Sequence, residues 1–313
     1  MKKTRMITEG AVLLAIFVLF LLITLYIPFL GMAVLFALPL PFIVFTLRYE
    51  MKHALVLVLT ACLVTIAVSS IMSVITTLTF ASSGVLLGGL YKKKRSNVEI
   101  LLAGTLAYIV NFVAIYIISV QFFEYNFIKE MQNLLDQSIK QAEAFIRQTG
   151  AQIEENSLKQ LKEMPQLLGY LVPSMLVLAS FIMSLFTQLI AIPVLRRLGY
   201  QIQSWPPFRS IQLPKSILVY YVIFLAVGFF IHAEKGSYLY TVMLNVNSVF
   251  PLLMAVQGFS FISLFINDKG YSKAIPVIVF VFSMFIPILF SLISFLGIID
   301  LGFSLRQKIK EHK

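Results

Sequence analysis

The polar side chains that could do chemistry are few, and most stand inside long apolar runs. Asn111, Gln188, Asn245, Asn247 and Gln257 interrupt stretches that are otherwise hydrophobic. A polar group inside a membrane is costly and is a functional candidate by default. Tyr108 stands about one helical turn before Asn111. If Tyr108, Asn111, Asn245 and Asn247 converge, they offer a few placed hydrogen-bonding groups within mostly apolar walls, which is what a small-molecule site needs. The runs around Asn111 and Asn245 hold no carboxylate, which favours a neutral or anionic solute over a cation. The other reading is structural: each amide bonds to a neighbouring helix and holds a bundle together.

Nothing in the chain forms a catalytic or metal constellation. His53, His232 and His312 are far apart, and Cys62 is the single cysteine. No internal disulfide is possible, and no zinc-ligand spacing is present. No Gly-Lys-Ser/Thr loop is there to cradle a phosphate. The expectation is a non-enzyme without a cofactor, whose energy for any transport comes from partner subunits.

The elements that must position these side chains are membrane-spanning helices. Hydrophobic residues make up 59% of the 313 residues and charged residues 12%; the mean hydropathy is +0.91. Apolar segments of about 20 residues, enough to cross a roughly 30 Å hydrocarbon core, recur from Gly10 to Gly297. The fold class is all-α, a polytopic transmembrane helix bundle of about 8–10 crossings, with an amphipathic helical insertion between spans five and six. The organisation reads as an N-terminal bundle over 1–123, the insertion over 124–165, and a C-terminal bundle with a basic tail over 166–313. The run from Gly10 to Phe29 is too long for a signal-peptide core and lacks a cleavage site, so it is retained as the first helix.

Prolines mark where helices must break. The short second span, Gly31–Leu47, holds Pro39 and Pro41, which remove backbone donors and require a kink or partial unwinding. The fourth, Ser73–Tyr91, is dense in Ser, Thr and Gly, which suits close helix packing. The insertion carries seven of the fourteen acidic residues. Its apolar residues, Phe127, Met131, Leu134, Ile139, Ala142 and Phe145, recur at helical spacing, with a break expected near Gly150.

The net charge of +11 comes from short basic clusters between apolar runs, not from a nucleic-acid surface. Lys2/Lys3/Arg5, Arg48/Lys52, Lys92–Arg95, Arg196/Arg197/Arg209 and Lys269/Lys273 all fall on one side if each span crosses once. By the positive-inside rule that side is cytoplasmic and the acidic insertion is outside. The expected arrangement is thus a multi-pass protein of the plasma membrane with a cytoplasmic N-terminus and a cytoplasmic C-terminus. The last stretch, Ala274–Phe303, reads as one crossing, or as two short ones broken near Ile286-Pro287; the second brings the basic tail back inside, where Asp300 can pair with Arg306. The loop Trp205-Pro206-Pro207-Phe208-Arg209 has an extended backbone enforced by its prolines. Trp205, Phe208 and Arg209 form either an interfacial anchor or a docking surface for a cytoplasmic partner.

Span one reads Thr8-Glu9-Gly10-Ala11-Val12-Leu13-Leu14-Ala15. Ala11 and Ala15 make a small-xxx-small pair on one helix face, which permits close helix approach. With the proline-bearing second span and the order of the first spans, the N-terminal part resembles the substrate-binding S components of energy-coupling-factor vitamin transporters. Over its full length the chain more closely resembles the YybS-like family of membrane proteins from Bacillus-type bacteria. That likeness includes Thr8–Ala15 and the end Leu296-Gly297-Ile298-Ile299-Asp300-Leu301-Gly302-Phe303, followed by Arg306. The S-component resemblance implies a bundle that binds a small solute from outside. It also implies coupling and ATPase subunits as partners, with Ala11 and Ala15 meeting the membrane coupling subunit.

Overall fold

The computed structural model describes residues 2–149, 154–231 and 233–306. Among these residues every regular element is a helix, and seven helices are long and apolar enough to cross a membrane. The chain divides into two compact units. The first is the chain up to Leu158 with Met175–Ser204; the second is Lys159–Ser174 with the chain from Trp205 on.

The first unit opens with α1 (Lys2–Tyr26), which at 25 residues is about 37 Å long, enough to span. The second span is broken as its prolines require. It comprises α2 (Pro28–Leu35), a turn over 36–39, and α3 (Leu40–Arg48). Pro39 and Pro41 have no N–H to donate, so the ladder restarts there, with the Ile43 N–H on the Pro39 carbonyl at 3.0 Å. Every residue from Leu40 to Thr46 is buried, which makes α3 the centre of this unit.

Around α3 stand α4 (Met51–Val68) and α5 (Ser73–Lys92). The small residues of α5 bring it into backbone contact with α3. A β-carbon on Gly84 would lie 2.6 Å from the Pro39 carbonyl oxygen, and one on Gly88 would lie 2.8 Å from that of Ile43. Thr65 and Thr77 share a hydroxyl hydrogen bond of 2.9 Å between α4 and α5. The apolar core collects Phe17, Leu21, Phe42, Phe45, Phe80 and Tyr108, with Phe17 edge-on to Phe42 at 5.0 Å.

Next come α6 (Asn97–Phe123), α7 (Phe127–Gln148) and α8 (Glu155–Arg197). Helix α7 is the expected amphipathic element; Gly150, where a break was expected, lies outside the described residues. Pro165 does not end the insertion. Helix α8 runs through Pro165, Pro173 and Pro193 for 43 residues. Each proline removes one donor without forbidding helical dihedrals, and at about 65 Å the helix is longer than a bilayer core requires. Its polar N-terminal turns, with Glu155, Lys159, Lys162 and Glu163, extend the apolar part.

The second unit contains a 3-10 turn (Phe208–Ser210), α9 (Lys215–Phe230), α10 (Tyr238–Asp268), α11 (Ala274–Phe285) and α12 (Pro287–Phe303). Ile286 is extended (φ −117°, ψ 97°) with Pro287 as the first residue of α12, the conformation that a following proline imposes. At 12 and 17 residues, α11 and α12 are about 18 and 25 Å long, each shorter than a roughly 30 Å hydrocarbon core. Helix α12 lies against α10 at backbone distance: a β-carbon on Gly258 would run into the Ile293 carbonyl oxygen. The Ser294 hydroxyl donates to the Pro251 carbonyl across the same interface at 3.0 Å.

Candidate functional site

The densest buried polar cluster lies in the second unit, where α10, α12 and the loop before α9 meet. Asp300 and Arg306 are ion-paired at 2.7 Å, with side chains 0% and 8% exposed. Gln257 donates to the same Asp300 oxygen at 2.5 Å and accepts from the Leu213 N–H at 2.9 Å. The Arg306 guanidinium also donates to the Ile211 carbonyl at 2.8 Å, the Arg209 carbonyl at 3.3 Å and the Ser260 hydroxyl at 3.1 Å. Ser260 in turn lies 2.8 and 2.6 Å from the Phe208 and Ile211 carbonyls. A loop without regular structure leaves backbone carbonyls that burial would penalise; here one guanidinium and one hydroxyl satisfy three of them. Asp300 Oδ1 is buried with no hydrogen-bond partner among the described residues.

This cluster fixes where the end of α12 lies. Arg306, just past α12, is bonded to the loop that precedes α9. Arg209 of that loop bonds the Asn267 side chain at the end of α10. Arg209, Asn267 and Lys273, the residue before α11, line one cleft. The start of α11 and the end of α12 are therefore at the same side as this loop. Helix α11 leads away from this loop and α12 leads back to it, as the break at Ile286-Pro287 allows.

The sequence-predicted loop residues are held rather than free. Trp205 is half-buried, while Phe208 and Arg209 are exposed at the side chain but tied at their carbonyls. The cleft beside them has a volume of about 680 Å³ and is walled by Phe208, Val256, Phe259, Val277 and Phe280.

The predicted ligand-binding residues divide between the units. In the first, Tyr108 is fully buried with its hydroxyl 3.2 Å from that of Thr187. Asn111 Nδ2 donates to the Ala107 carbonyl at 2.9 Å and the Ser83 hydroxyl at 3.3 Å, and its oxygen accepts from Ser82 at 3.1 Å. In the second, Asn245 donates to the Tyr170 and Thr241 carbonyls at 2.7 Å each and accepts from the Ser174 N–H at 2.7 Å. Tyr170 and Ser174 are four residues apart, so this amide sits across one helical hydrogen-bond position of α8. Gln188 does the same to α6. With its amide oriented to suit, it faces the Asn97 carbonyl at 3.2 Å and the Leu101 N–H at 3.0 Å. Asn247 differs: its side chain is exposed, and Pro251, four residues on, has no N–H for its carbonyl. His232, near a span end, lies outside the described residues.

One hub was not visible in the sequence. Glu9 of α1 accepts from Arg5 at 2.9 Å, Arg48 at 2.9 Å and Tyr49 at 2.8 Å, and Arg48 also donates to the Tyr200 hydroxyl at 2.9 Å. Burial and the bond to Glu9 push the Tyr49 phenol upward in pKa. Glu9 and Arg48 stand at one end of an apolar cleft of about 470 Å³, whose walls include Val12, Ile16, Phe20 and Val44. On the neighbouring strip of α1, Ala11 and Ala15 are exposed. Among the described residues no group of three or more His, Cys, Asp or Glu could hold a metal ion.

Comparison with known proteins gives two matches. The chain matches the family described as "Predicted membrane protein (DUF2232)" over residues 15–301. It is 34% identical, over 311 residues, to "Uncharacterized protein YybS" of Bacillus subtilis (strain 168), covering 99% of this chain and 100% of that one. No solved structure matches.

Proposed function

This chain belongs to the DUF2232 family of membrane proteins, and from that premise we propose that it is a non-enzymatic, multi-pass protein of the bacterial plasma membrane that binds a small solute or helps to translocate it. The observation that carries the reading is the outer strip of α1. Ala11 and Ala15 are exposed there, beside an apolar cleft of about 470 Å³, while Phe17 and Leu21 on the same helix are fully buried in the core. A helix that buries one face and leaves alanines on another accepts a second helix at short distance. This fits the resemblance to S components, whose first helix meets a coupling subunit. Asn247, exposed on α10 with its carbonyl opposite a proline, is the intramembrane amide best placed to meet a solute. Purification from the native membrane with partners retained tests the proposal. Co-purified coupling and ATPase subunits, or a bound metabolite, support it; a clean preparation lacking both removes it.

A second reading has its own observation. On α7, Phe127 is 57%, Leu134 57% and Phe145 67% exposed. Such an apolar stripe on an otherwise polar helix suits a partner or the membrane surface. Under this reading the protein is structural or regulatory and holds another envelope protein through α7 or through the Trp205–Arg209 loop. Capture of an envelope protein that is lost when Leu134 and Phe145 become Ser favours it over the first.

A further inference from the structure

The cleft beside the Phe208–Ser210 turn is two-faced along its length. At one end stand the Arg209 guanidinium, the Asn267 amide and the Lys273 ammonium; away from it run Val256, Phe259, Ile266, Pro276, Val277 and Phe280. No carboxylate lines it; Asp268, next to Asn267 in sequence, is not on the wall. From Asn267 back to Val256 the α10 wall rises by eleven residue steps, about 16 Å. The apolar wall is open to the side: Val256 is 39% exposed, Val277 61% and Phe280 47%. At about 680 Å³ the cleft is within the usual size of ligand sites, roughly 300–1,000 Å³.

The cationic end is built, not incidental. The Phe208, Arg209 and Ile211 carbonyls are tied down by Ser260 and the buried Arg306. Arg209 is aligned by its bond to Asn267. Two cations, Arg209 bonded to Asn267 and the exposed Lys273, at the mouth of a groove with an exposed apolar wall match one kind of molecule, with a negative head and a long apolar tail.

We propose that this cleft is a binding site for an anionic phospholipid, with its phosphate on Arg209 and Lys273 and one acyl chain along Val256, Phe259, Val277 and Phe280. A soluble anion would use the cations and leave the apolar wall uncovered. A zwitterionic lipid would use the wall and gain less from the cations, since each basic residue near an anionic headgroup contributes about five-fold in affinity. The Trp205–Arg209 loop then acts as a lipid clamp over the start of α11.

The test uses the full-length protein in mild detergent and native mass spectrometry. The probe is an equal mixture of phosphatidylglycerol and phosphatidylcholine with identical chains. The expected result is selective retention of one phosphatidylglycerol. Arg209→Gln with Lys273→Gln should lower that retention about twenty-five-fold, the product of two five-fold losses, and leave phosphatidylcholine unchanged. Lys92→Gln with Lys93→Gln, in the first unit, should not alter it. Val277→Trp keeps both charges and fills the groove, so it tests the site independently if the double variant is unstable; it should lower phosphatidylglycerol retention while thermal stability holds. Equal retention of the two lipids overturns the proposal. So does retention unaffected by Val277→Trp and abolished by millimolar inorganic phosphate, which would make the site one for a soluble anion.

Discussion

Gly297 of α12 lies so close to α10 that a β-carbon on it would run into the Met254 carbonyl oxygen. No side chain fits between the two backbones, so the contact depends on glycine at this position. Gly297→Ala should force the helices apart and cost about 3 kcal/mol, the upper range for overpacking. Gly228 of α9 has no atom within 4 Å of its would-be β-carbon. Gly228→Ala should be neutral or stabilise by up to about 1 kcal/mol, the helix-propensity gain. Thermal unfolding of both variants in the same detergent checks the contrast; equal melting temperatures would show that α10 and α12 do not pack through Gly297.

The Asp300–Arg306 pair should behave as a buried unit. Arg306→Leu leaves a carboxylate with 0% side-chain exposure, takes the side-chain donor from the Arg209 carbonyl and leaves the Ile211 carbonyl with Ser260 alone, so it should cost about 3–5 kcal/mol. Asp300→Leu with Arg306→Leu removes both charges and should cost less than the sum of the single changes by about 2 kcal/mol. Additivity in that cycle would mean that the pair is not coupled.

The return of α12 to the loop before α9 can be measured by accessibility. In a Cys62→Ser background, single cysteines at Ser210, Ser272 and Ser304 should label from one and the same side with an impermeant thiol reagent. A cysteine at Gln137 should label from outside intact cells and one at Ser96 should not, as the basic clusters require. Opposite labelling of Ser210 and Ser304 would contradict the bond between Arg306 and the Ile211 carbonyl.

Much of this was legible in the residues. Pro39 and Pro41, and Ile286-Pro287, break helices because a missing N–H and a restricted preceding residue act locally. The Ser, Thr and Gly content of α5 announced its close approach to α3. Asp300 and Arg306 pair as expected, being six residues apart across a helix end. The rest depends on how helices are rotated against each other, which hydropathy does not set. Glu9 and Arg48 are 39 residues apart, and nothing local says they meet. Gln188 and Asn245 make the helix-to-helix bonds of the structural reading, which for Asn245 stood beside a ligand-binding one, and which backbone groups they reach follows only from packing. The continuity of α8 through Pro165 was not visible because the change from a charged to an apolar stretch marks a boundary in composition, while the helix runs across it.

Ala11 and Ala15 separate folding from partnership. Both are exposed, so Ala11→Leu and Ala15→Leu should change the stability of the isolated protein by no more than about 0.5 kcal/mol, as for other surface sites. The same changes should abolish co-purification of a partner helix, because leucine holds two backbones apart. A loss of stability in the isolated protein would mean that this strip packs inside the fold.

The asparagines of α10 should divide by role. Asn245 satisfies the Tyr170 carbonyl and the Ser174 N–H, and Asn245→Ala leaves both without their side-chain partner. The cost should be about 1–3 kcal/mol, read as a lower melting temperature in detergent. Asn247 is exposed two residues further on, and Asn247→Ala should leave melting unchanged. If Asn247 meets a solute, the same variant should lose any metabolite that co-purifies with the unaltered protein, while Asn245→Ala should keep it below its own melting temperature. Retention of the metabolite by Asn247→Ala would take this residue out of the binding role.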